Sequence, residues 1–166
     1  MPYTIVDLLD KFISIEHAGY KMYMEIIKMN NVPEKIKTIA RVFAIEEEKH
    51  IETYKQIKNK MESEPNIEVD LHIYDKASTL IYQFSKLNKI SDLPSSKSLL
   101  EFCLEFEKSN LALLLSIRGI LIRTTGDEDS VSYKAISELV DEEYKHIKNI
   151  EYFIGEKEQK IWGELL

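Results

Sequence analysis

Hydrophobic residues recur at steps of three and four positions along most of this chain. This spacing is typical of amphipathic helices that pack their apolar faces together. It predicts four long helices, over residues 4–29, 33–62, 96–123 and 130–153. Shorter helices are expected over residues 78–87 and in the tail, 156–166. Alternation typical of β-strands is scarce, so we predict a single all-α domain over residues 1–166.

The connections between the long helices differ in length, which predicts how the helices pair. Residues 30–33 and 124–129 are short links, and such links place consecutive helices side by side and antiparallel. Residues 63–95, between the second and third helices, are enough to cross the length of a bundle. The predicted architecture is therefore a four-helix bundle of two helix pairs joined by one long crossover connection.

Charged or titratable residues interrupt the apolar stripe of every long helix near its middle. They are Glu16 in the first helix, Glu47 and His50 in the second, Glu107 in the third, and Glu143 and His146 in the fourth. Each histidine follows its glutamate by three positions, so the two side chains share a helix face. Burying four carboxylates together is costly unless cations neutralise them, and these stripes contain no Arg or Lys. The pattern predicts a buried metal site.

An internal repeat supports this interpretation. The sequence E-E-x-K-H-I occurs at residues 46–51 and again at residues 142–147. The two glutamate–histidine pairs are 96 positions apart, and the glutamates of the first and third helices are 91 positions apart. Two related halves would form one site for two metal ions. The remaining glutamates of the motif are expected to be solvated: Glu46, Glu48 and Glu142.

Composition limits the partners and the kinds of metal site. A net charge of −7 disfavours nucleic acid, since phosphate binding needs a basic surface. No apolar run approaches the roughly 20 residues of a membrane span, and the start of the chain lacks a signal-peptide pattern, so a cytoplasmic protein is expected. Cys103 is the single cysteine, which excludes a four-cysteine site within one chain. Carboxylate and imidazole ligands suit iron or manganese.

With these residues in order along four helices, the chain resembles the rubrerythrin-type branch of the ferritin-like di-iron carboxylate superfamily. The resemblance implies two iron ions, or manganese or a mixed pair in their place. Glu47 and Glu143 would bridge the two metals, and each histidine would bind one of them. Glu16 and Glu107 would be terminal ligands. Tyr23, seven positions after Glu16, matches a tyrosine that lies close to the metal centre and hydrogen-bonds a ligand.

The resemblance also implies an oxidoreductase that reacts with hydrogen peroxide or dioxygen, of peroxidase or ferroxidase type, with a role in oxidative stress. No catalytic residue separate from the metal centre is expected. Rubrerythrins proper carry a rubredoxin domain with four cysteines, which this chain lacks, so the electron donor would be external, such as a separate rubredoxin. A homodimer is expected, and the long crossover would permit chains to exchange helix pairs.

The chain departs from the family pattern at two positions of its second half. Rubrerythrins tend to have an additional glutamate one turn after the third-helix ligand, where this chain has Asn110. The counterpart of Tyr23 in the second half is Leu114, so the internal symmetry is incomplete. Two alternative functions remain open from the sequence: an iron-storage protein that assembles into a shell, and a non-enzymatic bundle that binds metal only to hold its core together.

Overall fold

The structure is a computed structural model that describes residues 2–61, 67–85, 93, 95–126 and 128–163. These residues form five helices: α1 (Ile5–Lys28), α2 (Glu34–Met61), α3 (Leu71–Ser85), α4 (Ser96–Thr125) and α5 (Val131–Gly163). An isolated antiparallel bridge joins Thr4 and Glu68. The predicted all-α class is confirmed for this part of the chain. None of its helices has an apolar stretch long enough to cross a membrane.

Local capping explains where the long helices begin and end. Thr4 is the N-cap of α1, and it exchanges hydrogen bonds with Asp7 in a capping box. Ser95 caps α4 by accepting a hydrogen bond from the backbone N–H of Ser98. α4 ends at Gly126, whose φ of 61° lies in the left-handed region that glycine adopts without strain. The bounds of the first three long helices therefore lie within two residues of the predicted ones.

Two of the predicted boundaries were wrong. α3 begins at Leu71 rather than at residue 78, because Asp70 caps it with a side-chain bond to the backbone N–H of His72. The predicted end of this helix, residue 87, lies outside the described residues. The separate C-terminal helix was also wrong, since α5 continues through Gly155 to Gly163. A glycine costs a helix only about 1 kcal/mol, and residues 156–160 are good helix formers.

The helices pack as two antiparallel pairs, α1 with α2 and α4 with α5. In the first pair, the rings of Phe12 and Tyr54 lie 5.4 Å apart, and those of Tyr23 and Phe43 lie 5.2 Å apart. Helix α3 packs against α1 and α4, so it covers the side of the bundle where these two helices meet. On the opposite side α2 and α5 contact each other directly. The arrangement is a helical bundle with an additional helix in the crossover.

The interior of the bundle is mostly apolar, and all but one of its buried polar side chains in the described residues lie in one layer near the middle of the four long helices. Aromatic and aliphatic side chains such as Phe12, Tyr54 and Leu114 are fully buried around it. The buried polar or charged side chains of the described residues are Glu16, Glu47, His50, Glu107, Asn110, Ser132, Glu143 and His146. All six predicted site residues are in this set.

Candidate metal centre

The six predicted site residues converge inside the bundle, and none is more than 2% exposed. Their side chains come from α1, α2, α4 and α5, and each points inward from the middle of its helix. Glu143 lies between the two histidines. Its Oε1 is 3.2 Å from Nδ1 of His50, and its Oε2 is 3.5 Å from Nδ1 of His146. The carboxylate of α5 therefore links the two halves of the centre.

The ligand atoms form two overlapping groups, in each of which they lie within 4.8 Å of one another. The first group is Glu16, Glu47, His50 and Glu143, and the second is Glu47, Glu107 and His146. Glu47 belongs to both groups, and Glu143 contacts the histidine of each. Each group offers carboxylate oxygens and one imidazole nitrogen within reach of a common point. Both groups can hold a metal ion.

Seven inward-facing atoms of the centre have no hydrogen-bond partner among the residues that the structure describes. They are Oε2 of Glu16, both carboxylate oxygens of Glu47, Oε2 of Glu107, Oε2 of Glu143, and Nδ1 of His50 and His146. Buried polar atoms in folded proteins nearly always have a partner. Metal ions bind the lone pairs of such atoms. These unpartnered atoms, each from a predicted ligand, fit a site for metal ions.

The electrostatics of the centre also fit cations. The buried charged residues of the described chain include no Lys or Arg, so two divalent ions would balance the four carboxylates. Burial and the neighbouring Glu143 raise the pKa of Glu107 to about 7. Burial and the nearby Glu16 raise the pKa of Glu47 well above its usual range.

The two histidines compensate part of this charge when metal is absent. Burial lowers the pKa of His50, but its contacts with Glu143, Glu16 and Glu47 raise it well above the usual range. His146 behaves in the same way. Burial raises the pKa of Glu143, but both histidines act against this and lower it to about 2. In the metal-free protein the histidines therefore keep protons that a metal ion would displace.

Each histidine is held by a glutamate from the other helix of the α2–α5 contact. Nε2 of His50 is 2.8 Å from Oε2 of Glu142, and Nε2 of His146 is 2.6 Å from Oε2 of Glu46. A carboxylate on one ring nitrogen fixes the tautomer that leaves the other nitrogen free to bind a metal. Nδ1 of both histidines accordingly faces the centre.

Sequence reasoning missed these two glutamates, which were expected to be solvated. Their side chains are 36% exposed for Glu46 and 50% for Glu142, so both are partly solvated as predicted, and each also contacts a histidine. Glu48 is exposed, as predicted. The available signal was the repeat itself, since the first glutamate of E-E-x-K-H-I recurs at the same spacing as the predicted ligands.

Tyr23 and Asn110 supply hydrogen bonds to the carboxylates of the first and third long helices. The hydroxyl of Tyr23 donates to Oε1 of Glu107, in agreement with the position expected for this tyrosine. Nδ2 of Asn110 donates to Oε1 of Glu16 at 3.0 Å, and it lies 3.4 Å from Oε1 of Glu143. Each donor bonds to the Oε1 atom of its glutamate, so Glu16 and Glu107 present their Oε2 atoms to the centre.

The two remaining histidines and the cysteine do not belong to either ligand group. His17 and His72 are exposed. Cys103 is buried in the apolar core one turn before Glu107, and burial raises the pKa of its thiol. Comparison of the chain with protein-family models, with curated proteins and with solved structures gives no match.

Proposed function

We propose that this chain is a ferritin-like di-iron carboxylate protein of the rubrerythrin type. It acts as an oxidoreductase on hydrogen peroxide or dioxygen. The observation that carries the proposal is the convergence of four buried glutamates and two buried histidines whose inward-facing atoms have no protein partner. A buried group of this kind is retained for a ligand, since without one it destabilises the fold.

The distribution of the ligands over the helices supports this class of centre. Ferritin-like di-metal proteins take one glutamate from each of two helices and a Glu-x-x-His motif from each of the other two. Here α1 and α4 supply the single glutamates, and α2 and α5 supply the motifs. The antiparallel pairs and the crossover between α2 and α4 agree with the same fold class. Oxygen and imidazole donors without thiolate favour iron or manganese, and we propose iron.

We assign two of the glutamates to both metal positions and the other two to one position each. Glu47 lies in both ligand groups and Glu143 contacts both histidines, so these two would bridge the metals. Glu16 and Glu107 would each bind one metal through Oε2, because their Oε1 atoms already accept hydrogen bonds.

Bound iron would supply the electrons that reduce peroxide or dioxygen. The protein would hold the ligands in place and exclude bulk water from them. Phe43 stacks on His146 with ring centroids 4.6 Å apart, and Phe106 packs against the α1 backbone at Gly19. Glu46 and Glu142 fix the orientation of the imidazole rings. An external electron donor, such as a rubredoxin-like protein, would return the centre to its reduced state.

The first test is metal content. Protein purified without chelator should contain close to two iron ions per chain and show near-ultraviolet bands of oxo-bridged iron. His50→Ala should contain at least one iron ion per chain fewer than the wild type. His17→Ala, which removes an exposed histidine next to Glu16 in the sequence, should retain it. Absence of bound iron after anaerobic reconstitution with Fe²⁺ would contradict the proposed centre.

The second test is reactivity. Anaerobic protein loaded with Fe²⁺ is mixed with H₂O₂ or with O₂ in a stopped-flow instrument. The proposal expects oxidation faster than that of free Fe²⁺ with at least one oxidant, and the comparison of the two rates identifies the substrate. Equal rates for bound and free Fe²⁺ with both oxidants would reject the oxidoreductase. Size-exclusion chromatography tests the proposed homodimer, because a shell of many chains would instead support the storage function.

A further inference from the structure

Asn110 occupies a position at which the two halves of the bundle differ. It follows Glu107 by three residues in α4, and the residue that follows Glu16 by three in α1 is Gly19. A Cβ atom on Gly19 would lie 2.9 Å from Cε1 of Phe106 and 3.2 Å from Oε1 of Glu47. Such contacts are shorter than van der Waals packing allows. The α1 half therefore has no room for an asparagine at the matching position.

The Asn110 side chain is fully buried, and its amide is directed at two carboxylates of the ligand group around His50. Its amide nitrogen lies 3.0 Å from Oε1 of Glu16 and 3.4 Å from Oε1 of Glu143. Its own Oδ1 has no hydrogen-bond partner among the described residues. Both of these glutamates belong to the ligand group of His50. Asn110 thus positions two of the four ligand residues of that group.

The group around His50 is also the more closely assembled of the two. Nδ1 of His50 has three carboxylate oxygens within 3.6 Å, from Glu16, Glu47 and Glu143. Nδ1 of His146 lies 3.5 Å from Glu143 and 4.0 Å from Glu107. Ligands that are already held in the binding arrangement lose less entropy when a metal binds.

We infer that Asn110 makes the two metal positions unequal, so that the position formed by Glu16, Glu47, His50 and Glu143 binds its metal ion first and more tightly. This inference rests on the proposed metal centre and goes beyond it, since a symmetric centre would load both positions alike. Asn110 acts through the glutamates and is a positioning residue rather than a ligand.

The test is an anaerobic titration of the metal-free full chain with Co²⁺, followed by visible absorption and by metal analysis. The wild-type protein should bind two ions per chain in two resolved steps, with affinities that differ by about tenfold or more. His146→Ala should retain the tight step, and His50→Ala should lose it. Two steps of equal affinity, or loss of the tight step in His146→Ala, would overturn the inference.

Variants of Asn110 test the cause of the inequality. Asn110→Ala should weaken the tight step by about 10–100-fold, the range for loss of a group that supports a metal ligand. Asn110→Leu keeps the buried volume but lacks the amide, so it should show the same loss even where the alanine variant folds poorly. Tyr23→Phe should weaken the second step instead, because its hydroxyl bonds Glu107.

Ile117→Ala is the matched control, since it removes a buried α4 side chain more than one turn away from the ligands. It should lower the thermal stability of the protein and leave both metal affinities unchanged. An unchanged tight step in both Asn110 variants would overturn the inference while two bound ions still supported the centre. Failure of the wild-type protein to bind Co²⁺, Fe²⁺ or Mn²⁺ would reject the centre itself, so the two failures are distinguishable.

Discussion

The α1–α2 pair and the α4–α5 pair bring the same ligand types to the centre and different groups around them. Each pair supplies one glutamate and one Glu-x-x-His motif, and each supplies a glutamate that holds the histidine of the other pair. The hydrogen-bond donors differ, since α1 contributes Tyr23 and α4 contributes Asn110. Each donor acts on the single glutamate of the opposite pair. Each helix pair therefore supplies hydrogen-bonding groups to the ligand residues of the other pair.

The two proposed bridging glutamates show the same contrast in electrostatic terms. Glu143 lies between both histidines, and its pKa is lowered to about 2. Glu47 lies 3.6 Å from His50 and beside Glu16, and its pKa is raised. Glu47 and Glu143 occupy equivalent positions in the repeat, and we expect them to have opposite effects on the stability of the metal-free protein. A metal ion on each side would remove most of this difference by neutralising both carboxylates.

Replacement of the two proposed bridging glutamates should have the largest effect. Glu47→Leu and Glu143→Leu should each abolish binding of both metal ions. In urea unfolding of the metal-free protein, Glu47→Leu should raise the free energy of unfolding by about 1–3 kcal/mol, because it removes an unpartnered buried carboxylate. Glu143→Leu should lower it by about 3 kcal/mol, because Nδ1 of each buried histidine then loses its nearest carboxylate.

Glu138→Leu is the control, since it changes an exposed glutamate of α5. It should leave metal content unchanged and the stability within about 0.5 kcal/mol of the wild type. Effects of the same sign for Glu47→Leu and Glu143→Leu would contradict the electrostatic difference between the halves. If Glu47→Leu binds no metal and still forms a stable bundle, the alternative in which metal serves only to hold the core together would be contradicted.

The melting temperatures of the metal-free protein and of the metal-loaded protein should change in opposite directions as pH rises. The pKa of Glu107 is raised to about 7, so its contribution to stability falls as pH rises from about 4.3 to 7. The histidine pKa values are raised as well, so their contribution is present below about pH 6.5 and is lost as pH rises further. The melting temperature of the metal-free protein should therefore fall between pH 5 and pH 9.

The loaded protein should show the opposite trend over the same pH range, because metal ions displace the protons and bind more tightly as pH rises. Thermal unfolding of chelator-treated and reconstituted protein at pH 5, 7 and 9 measures both trends. Below about pH 4.3 the lowered pKa of Glu143 should destabilise the metal-free protein in turn. A metal-free melting temperature that rises from pH 5 to pH 9 would show that the carboxylates are not held as described.

Replacement of Glu46 or Glu142, each of which contacts a histidine of the other helix pair, should have a smaller effect that is confined to one metal position. Glu142→Gln should weaken metal binding at the His50 position by about tenfold, and Glu46→Gln should do so at the His146 position. Cobalt titration resolves which step changes. Glu48→Gln changes the exposed neighbour in the motif and should alter neither step. If either variant weakened both binding steps equally, the contacts of Glu142 with His50 and of Glu46 with His146 would not act on separate metal positions.

The smallest expected effect concerns the glycine that matches Asn110 in the repeat. Gly19→Ala should destabilise the protein by about 1–2 kcal/mol, because the new methyl group would push against Phe106 and the carboxylate of Glu47. Gly119→Ala meets no atom within 4 Å and should stabilise α4 by up to about 1 kcal/mol. Urea unfolding of the two variants gives the comparison. A neutral Gly19→Ala would show that α1 has room for a side chain at this position.

Much of the fold follows from local signals in the sequence. Caps at Thr4 and Ser95 and the glycine at residue 126 act within one helical turn, so the bounds of the long helices were predictable. The first turn of α3 was missed although Asp70 caps it, and the segment before it, residues 67–69, bonds to the start of the chain. Val69 donates its backbone N–H to the carbonyl of Tyr3 at 2.9 Å, and Ile5 donates to the carbonyl of Ile67 at 2.8 Å. Such pairing between distant segments leaves no periodic pattern.

The sequence by itself determined which side chains would face the core and that the core would contain four glutamates and two histidines, because the 3.6-residue period of a helix assigns each position to a face. Tertiary structure alone decided which atoms meet. Glu46 and Glu142 reach histidines on another helix, Asn110 reaches Glu16, and the side chain of Phe106 fills the space beside Gly19. These contacts depend on the distance and rotation between helices, and no helix encodes the position of its neighbour.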